Sequence, residues 1–135
     1  MLKKILLSTA VIGVINFLAS MLISQIFNVL SWQVAVEYQN PNLFRANSDP
    51  LMLLFFAHPF LLALILVWFW QKTKNIFGNN GLKFGLTYWI ISVIPGMFAT
   101  YASMPYSFLM ILSWTVSGLA QAIIAGLILS KFDKN

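Results

Sequence analysis

A histidine followed by a proline, His58-Pro59, stands in a stretch from Leu51 to Trp70 that holds no other ionisable side chain. Histidine changes charge near physiological pH, so this residue could carry a proton. An ionisable group inside an apolar span is a functional candidate by default. The alternative is a neutral imidazole bonded to a hydroxyl, or to the Phe55 carbonyl that Pro59 deprives of its usual donor. Four polar residues of other apolar runs could complete a polar cavity with His58: Asn16, Thr100, Tyr101 and Gln121. Asn16 and Gln121 fall at similar depth and could bond each other across a helix contact, which would spare both amides the cost of lying unpaired in lipid. No catalytic set accompanies them. The apolar runs hold no carboxylate pair, and the chain has no phosphate-binding glycine loop and no His-Glu-x-x-His. One histidine and no cysteine leave no basis for a metal site, a haem or any other cofactor. Glu37, Arg45 and Asp49 share one connection, and an outward-facing enzyme would have to use them.

The elements that must position these residues follow from composition. Of 135 residues, 60% are hydrophobic and 8% charged. A soluble domain of this size needs about a quarter of its residues charged to cover its surface, so a soluble monomer and a disordered chain are both excluded. Four apolar runs, 5–30, 51–70, 82–103 and 106–130, are each long enough to cross a bilayer as a helix. Lys83 sits at the edge of the third; formal charge is otherwise absent from them. Continuous apolar runs suit helices, whose backbone groups pair internally, better than the alternating strands of a barrel. The expected fold is an all-α membrane four-helix bundle, up-down-up-down, in a single domain over residues 1–135.

Seven of the eight basic residues, Lys3, Lys4, Lys72, Lys74, Lys83, Lys131 and Lys134, lie at the two termini and in the second connection. The positive-inside rule makes that side cytoplasmic. The first connection, about residues 31–50, then faces outward with Arg45. The net charge of +5 is thus a topology signal. With no basic stripe or aromatic platform, no nucleic-acid partner is expected; the expected partner is the lipid bilayer. The first run is too long for the apolar region of a signal peptide and reads as an uncleaved helix.

Local signals refine this outline. Residues 31–40 continue the first span as a helix or form a short strand, the helix being favoured. Ser48 or Asp49 should cap the second span, and Pro59 and Pro95 should kink the second and third. Small or polar residues recur at helical spacing: Gly13, Asn16, Ser20 and Ser24 in the first span, and Gly85, Ser92, Gly96, Thr100 and Ser103 in the third. In the fourth, Gly118, Ala122 and Gly126 make a small-xxx-small ladder. Such stripes are packing seams between helices or the lining of a pathway.

The run Gly81-Leu82-Lys83-Phe84-Gly85, then Thr100-Tyr101-Ala102-Ser103-Met104-Pro105, then Trp114, Gly118, Gln121 and Ala125-Gly126 resembles a group of small bacterial four-helix integral membrane proteins of uncharacterised function. The resemblance covers about residues 81–129. It implies a multi-pass protein of the bacterial inner membrane and no activity. In that group a carboxylate can stand where Gln121 is, and glutamine cannot take up a proton. Small multidrug transporters also have four short spans, but they use a membrane-embedded glutamate in the first, where this chain has Asn16. Two functional readings remain. One is a noncatalytic protein acting by helix association through the Gly118, Ala122, Gly126 ladder, as a homo-oligomer or with a membrane partner subunit. The other is a small transporter or channel with a polar cavity around His58.

Overall fold

The structure, a computed structural model, describes residues 2–134; the side chains of Leu2, Lys4 and Lys134 lie outside the described residues. The fold is all-helical. The elements are α1 (Leu2–Leu30), α2 (Trp32–Tyr38), α3 (Met52–Thr73), α4 (Gly81–Tyr88), a π-helical turn (Trp89–Val93), α5 (Ile94–Ser103) and α6 (Phe108–Lys134). No strand occurs among the described residues. Four helices are long and apolar enough to cross a membrane: Ile5–Leu30, Met52–Thr73, Gly81–Ser103 and Phe108–Asp133. The third is composite, made of α4, the π turn and α5.

Small residues decide how closely these helices approach. Gly13 of α1 lies under the ring of Phe60 of α3, and Phe17 meets Phe56 with ring centroids 6.1 Å apart, so α1 and α3 run antiparallel. Gly81 and Gly126 bring the backbones of α4 and α6 together, and Gly85 fits against Ala122. The ladder of α6 is therefore filled from within the chain, with Val93 of the π turn over Gly118. At one end of the bundle Asp133 of α6 accepts hydrogen bonds from Trp70 Nε1 (2.6 Å) and Lys74 Nζ (2.9 Å), joining α6 to the end of α3. These pairings gather Lys72, Lys74, Lys83 and Lys131 at that end, called here the lysine-rich end. The opposite, loop end carries α2 and residues 39–51.

The core fills the half of the bundle nearer the lysines. Ile12, Ala63, Leu66, Val67, Trp70, Phe84, Ala125 and Leu129 are buried there as one cluster. The Phe84 ring is its centre, 5.1 Å from Trp70 and 5.5 Å from both Phe69 and Phe77.

Several local expectations are corrected. Residues 32–38 are helical, but Ser31 adopts extended backbone (φ −140°, ψ 107°) and separates α2 from α1. Neither Ser48 nor Asp49 is the cap of α3; Leu51 is, and Asp49 Oδ1 instead accepts from the Leu51 amide at 2.9 Å in the turn before it. Pro59, where a kink is expected, has helix on both sides of it in α3. In the third span the irregularity is a π turn immediately before Pro95. A proline ring crowds the carbonyl four residues back, here that of Ile91, and the wider turn accommodates it.

Candidate functional site

The other half of the bundle is packed only in part, around Val34, Met110 and Ile111. A cleft of about 650 Å³ lies between α1, α3, the third span and α6 and reaches residues of the loop end. Its deepest lining residues on three helices are Phe17, Leu62 and Gln121, each at the middle of its span. On the third span the lining begins at Tyr88, one turn from the midpoint at Ser92, and continues through Val93, Gly96 and Met97. The buried cluster around Trp70 and Phe84 closes the rest of the way. The geometry is that of a vestibule half a membrane deep.

Helical spacing builds the walls. On α1, Ser20, Ser24 and Asn28 recur every four residues and face the cleft together with Met21 and Gln25. On α3, Met52, Phe55, Phe56, His58 and Pro59 line it. α6 contributes Trp114, Ser117, Gly118 and Gln121. Gln121 is only 6% exposed, and no group of the described residues holds its amide by a hydrogen bond. Gly96 borders open space: a Cβ there would meet nothing within 4 Å.

The mouth is shaped by α2 and the loop after it. Trp114 Nε1 donates to Tyr38 Oη at 2.8 Å, and Tyr106 Oη donates to the Leu43 carbonyl at 3.3 Å. The Phe44 ring packs between them, 5.3 Å from Tyr38 and 5.7 Å from Tyr106. Ser107 Oγ caps α6 by accepting from the Met110 amide (3.2 Å), while the Ser107 amide donates to Glu37 Oε1 at 3.2 Å. A carboxylate at a helix N-terminus complements the helix dipole. Arg45, at the rim, pairs with Asp49 at 2.9 Å. The Leu51 amide and then the Arg45 guanidinium hold the Asp49 carboxyl below its ordinary value. The three charges of the first connection are thus divided between two structural tasks and do not form one reactive group.

The residues singled out from the sequence separate into two sets. His58 and Gln121 line the cleft together. Asn16, Thr100 and Tyr101 do not. Asn16 is fully buried, and neither its Nδ2 nor its Oδ1 has a partner among the described residues, so the expected amide pair with Gln121 is not formed. Thr100 Oγ1 donates to the Gly96 carbonyl at 2.9 Å, and Tyr101 is exposed, its ring 6.3 Å from that of Phe108. Sequence reasoning missed the apolar lining. It also stopped the polar stripe of α1 at Ser24, although the same spacing leads to Asn28 and the cleft.

Comparison with family models, curated proteins and solved structures gives no match for this chain, so its membrane-spanning fold and its half-depth cleft are what characterise it.

Proposed function

We propose that the chain is a noncatalytic carrier of the bacterial inner membrane with both termini cytoplasmic, and that it takes up a small molecule from the outer side through the cleft that holds His58 and Gln121. One observation supports this reading above others: on every helix the cleft stops at mid-span or within about one turn of it, against a packed aromatic core. Substrate sites of membrane transporters lie at that depth, reached from one side at a time. The competing reading, association with a second copy or a partner subunit, drew on Gly118, Ala122 and Gly126. Those residues are occupied by Val93, Gly85 and Gly81 of the same chain, which removes its motive.

Cysteine accessibility tests the proposal, because the chain has no cysteine of its own. Ser92→Cys and His58→Cys should react with a membrane-impermeant thiol reagent from the outer side only, as should Ser48→Cys at the rim. Ala63→Cys and Ala125→Cys, in the core, should react only from the cytoplasmic side, during turnover. A Ser92→Cys protein that reacts from neither side rules out a water-reachable cleft. Reaction of Ser48→Cys from the cytoplasmic side alone reverses the orientation.

A further inference from the structure

The walls of the cleft say what kind of molecule it takes. We infer that the ligand is an uncharged amphipathic molecule with a flat, aromatic-like apolar body and a hydrogen-bonding head that sits at Gln121. This rests on the cleft being a binding site at all, as proposed above.

Charge is the first constraint. Arg45 is the one lining residue with a permanent formal charge; it stands at the mouth, and Asp49 already holds its guanidinium. Deeper in, the polar groups are hydroxyls, an imidazole and an amide: Ser20, Ser92, Ser117, Tyr88, His58 and Gln121. A charged ligand moved to mid-span would lose its hydration with no permanent counter-charge to replace it, whereas an uncharged one loses much less.

The body is constrained by the surfaces it would touch. Aromatic rings face the cleft from every side: Phe17 on α1, Phe55 and Phe56 on α3, Phe44 from the loop, Trp114 on α6. Met21, Met52 and Met97 stand among them. Rings favour stacked or edge-on contact with other rings, and thioethers adapt their shape and also favour ring edges. A volume of about 650 Å³ is ample for a molecule of a few fused or linked rings.

The head is placed by Gln121. Gln121 is 6% exposed, lines the floor with its amide open to the cleft, and has no hydrogen-bond partner among the described residues. An amide so little exposed is costly to leave without a partner, and a ligand that both accepts and donates would satisfy it. Ser117, one turn away on α6, and Ser92 across the floor offer further hydroxyls.

Three fluorescent probes with the naphthalene body in common test this in lipid nanodiscs, with empty nanodiscs subtracted. They are neutral N-phenyl-1-naphthylamine, its 8-sulfonate, and a naphthyl-trimethylammonium cation. The neutral probe should bind saturably and at least about tenfold more tightly than either ion. Gly96→Phe, whose Cβ meets nothing within 4 Å and whose ring would project from the cleft wall, should abolish that binding while leaving the thermal transition in place. Gln121→Leu should weaken it several-fold. Equal or tighter binding of an ion overturns the ligand class and leaves the cleft reading standing. Saturable neutral binding that survives Gly96→Phe lies outside the cleft and also overturns the inference. No saturable binding of any probe defeats the cleft reading itself.

Discussion

Gly85→Ala isolates the cost of separating α4 from α6. A Cβ at residue 85 would lie 2.5 Å from the Ala122 carbonyl oxygen, 2.9 Å from its carbon and 3.0 Å from Ile123 Cα. All three are backbone atoms, which cannot swing aside as a side chain tip would. Ordinary van der Waals contact begins at 3.4 Å, so one helix must retreat by the difference from 2.5 Å, about 0.9 Å. Overpacking of that order costs about 1–3 kcal/mol. Alanine also gains about 1 kcal/mol over glycine from helix propensity, which would mask part of the loss. Gly96→Ala removes that ambiguity. It is helical too, gains the same propensity, and its Cβ meets nothing within 4 Å. The Gly85 variant should therefore be less stable than the Gly96 variant by about 1–3 kcal/mol. Reversible unfolding in mixed micelles, titrated with SDS and followed by tryptophan fluorescence, measures the difference. Two variants equal within about 0.5 kcal/mol would refute the claim that glycine at 85 is what lets these helices touch.

The polar groups give four further expected outcomes. Asn16→Leu should leave the protein as stable or more so, by about 1–3 kcal/mol, because it removes a buried amide with no partner; a clear loss in the same titration would show that the amide is held. Asp133→Ala should cost about 1.5–3 kcal/mol, since it strips the acceptor from Trp70 and Lys74 together. Arg45→Ala, which breaks an ion pair whose arginine is 61% exposed, should cost at most about 1 kcal/mol, and equal losses for these two variants would undo that contrast. Asp49 should titrate below its ordinary 3.8. Because its folded value is the lower one, its contribution is present above the unfolded value and disappears as pH falls through the folded one. Carbon-detected NMR of the carboxyl reads this directly, and a value at or above 3.8 contradicts it.

The four spans are legible in the sequence because length and apolarity alone identify them. The third, expected over 82–103, is found over Gly81–Ser103. The second and fourth run slightly further, to Thr73 and Lys134, because interfacial residues extend a helix without changing its hydropathy signal. His58 and Gln121 line one cleft, Gln121 at the middle of its span and His58 about one turn nearer the loop end. Rotation about the helix axis is harder to read. Gly85, Ser92, Gly96, Thr100 and Ser103 share one face only if the third span is a regular α-helix. The π turn adds a residue and rotates the helix beyond it by roughly 100°. Gly85 thus faces α6, Ser92 and Gly96 face the cleft, and Thr100 and Ser103 bond their own carbonyls at Gly96 and Ala99. Nothing in the local composition marks that turn except Pro95 just beyond it. Asn16 shows a different limit. Helical spacing puts it on the buried face of α1 but cannot say which neighbour its amide will lack.

The composite third span also has a mechanical character. α4 is clamped, with Gly81, Phe84 and Gly85 buried, whereas neither the π turn nor α5 contains a buried residue. Beyond α4 the span is tied to α6 at a few points: Trp89 Nε1 donates to the Thr115 carbonyl at 3.0 Å, Val93 lies over Gly118, and the short connection after Ser103 leads into α6. The ten residues of α5 make an arm of about 15 Å. A deflection of about 10° at the π turn displaces the arm's tip by about 2.6 Å, nearly the width of a water molecule. A shift of that size would change the width of the cleft directly, because the arm borders it with Gly96 and Met97.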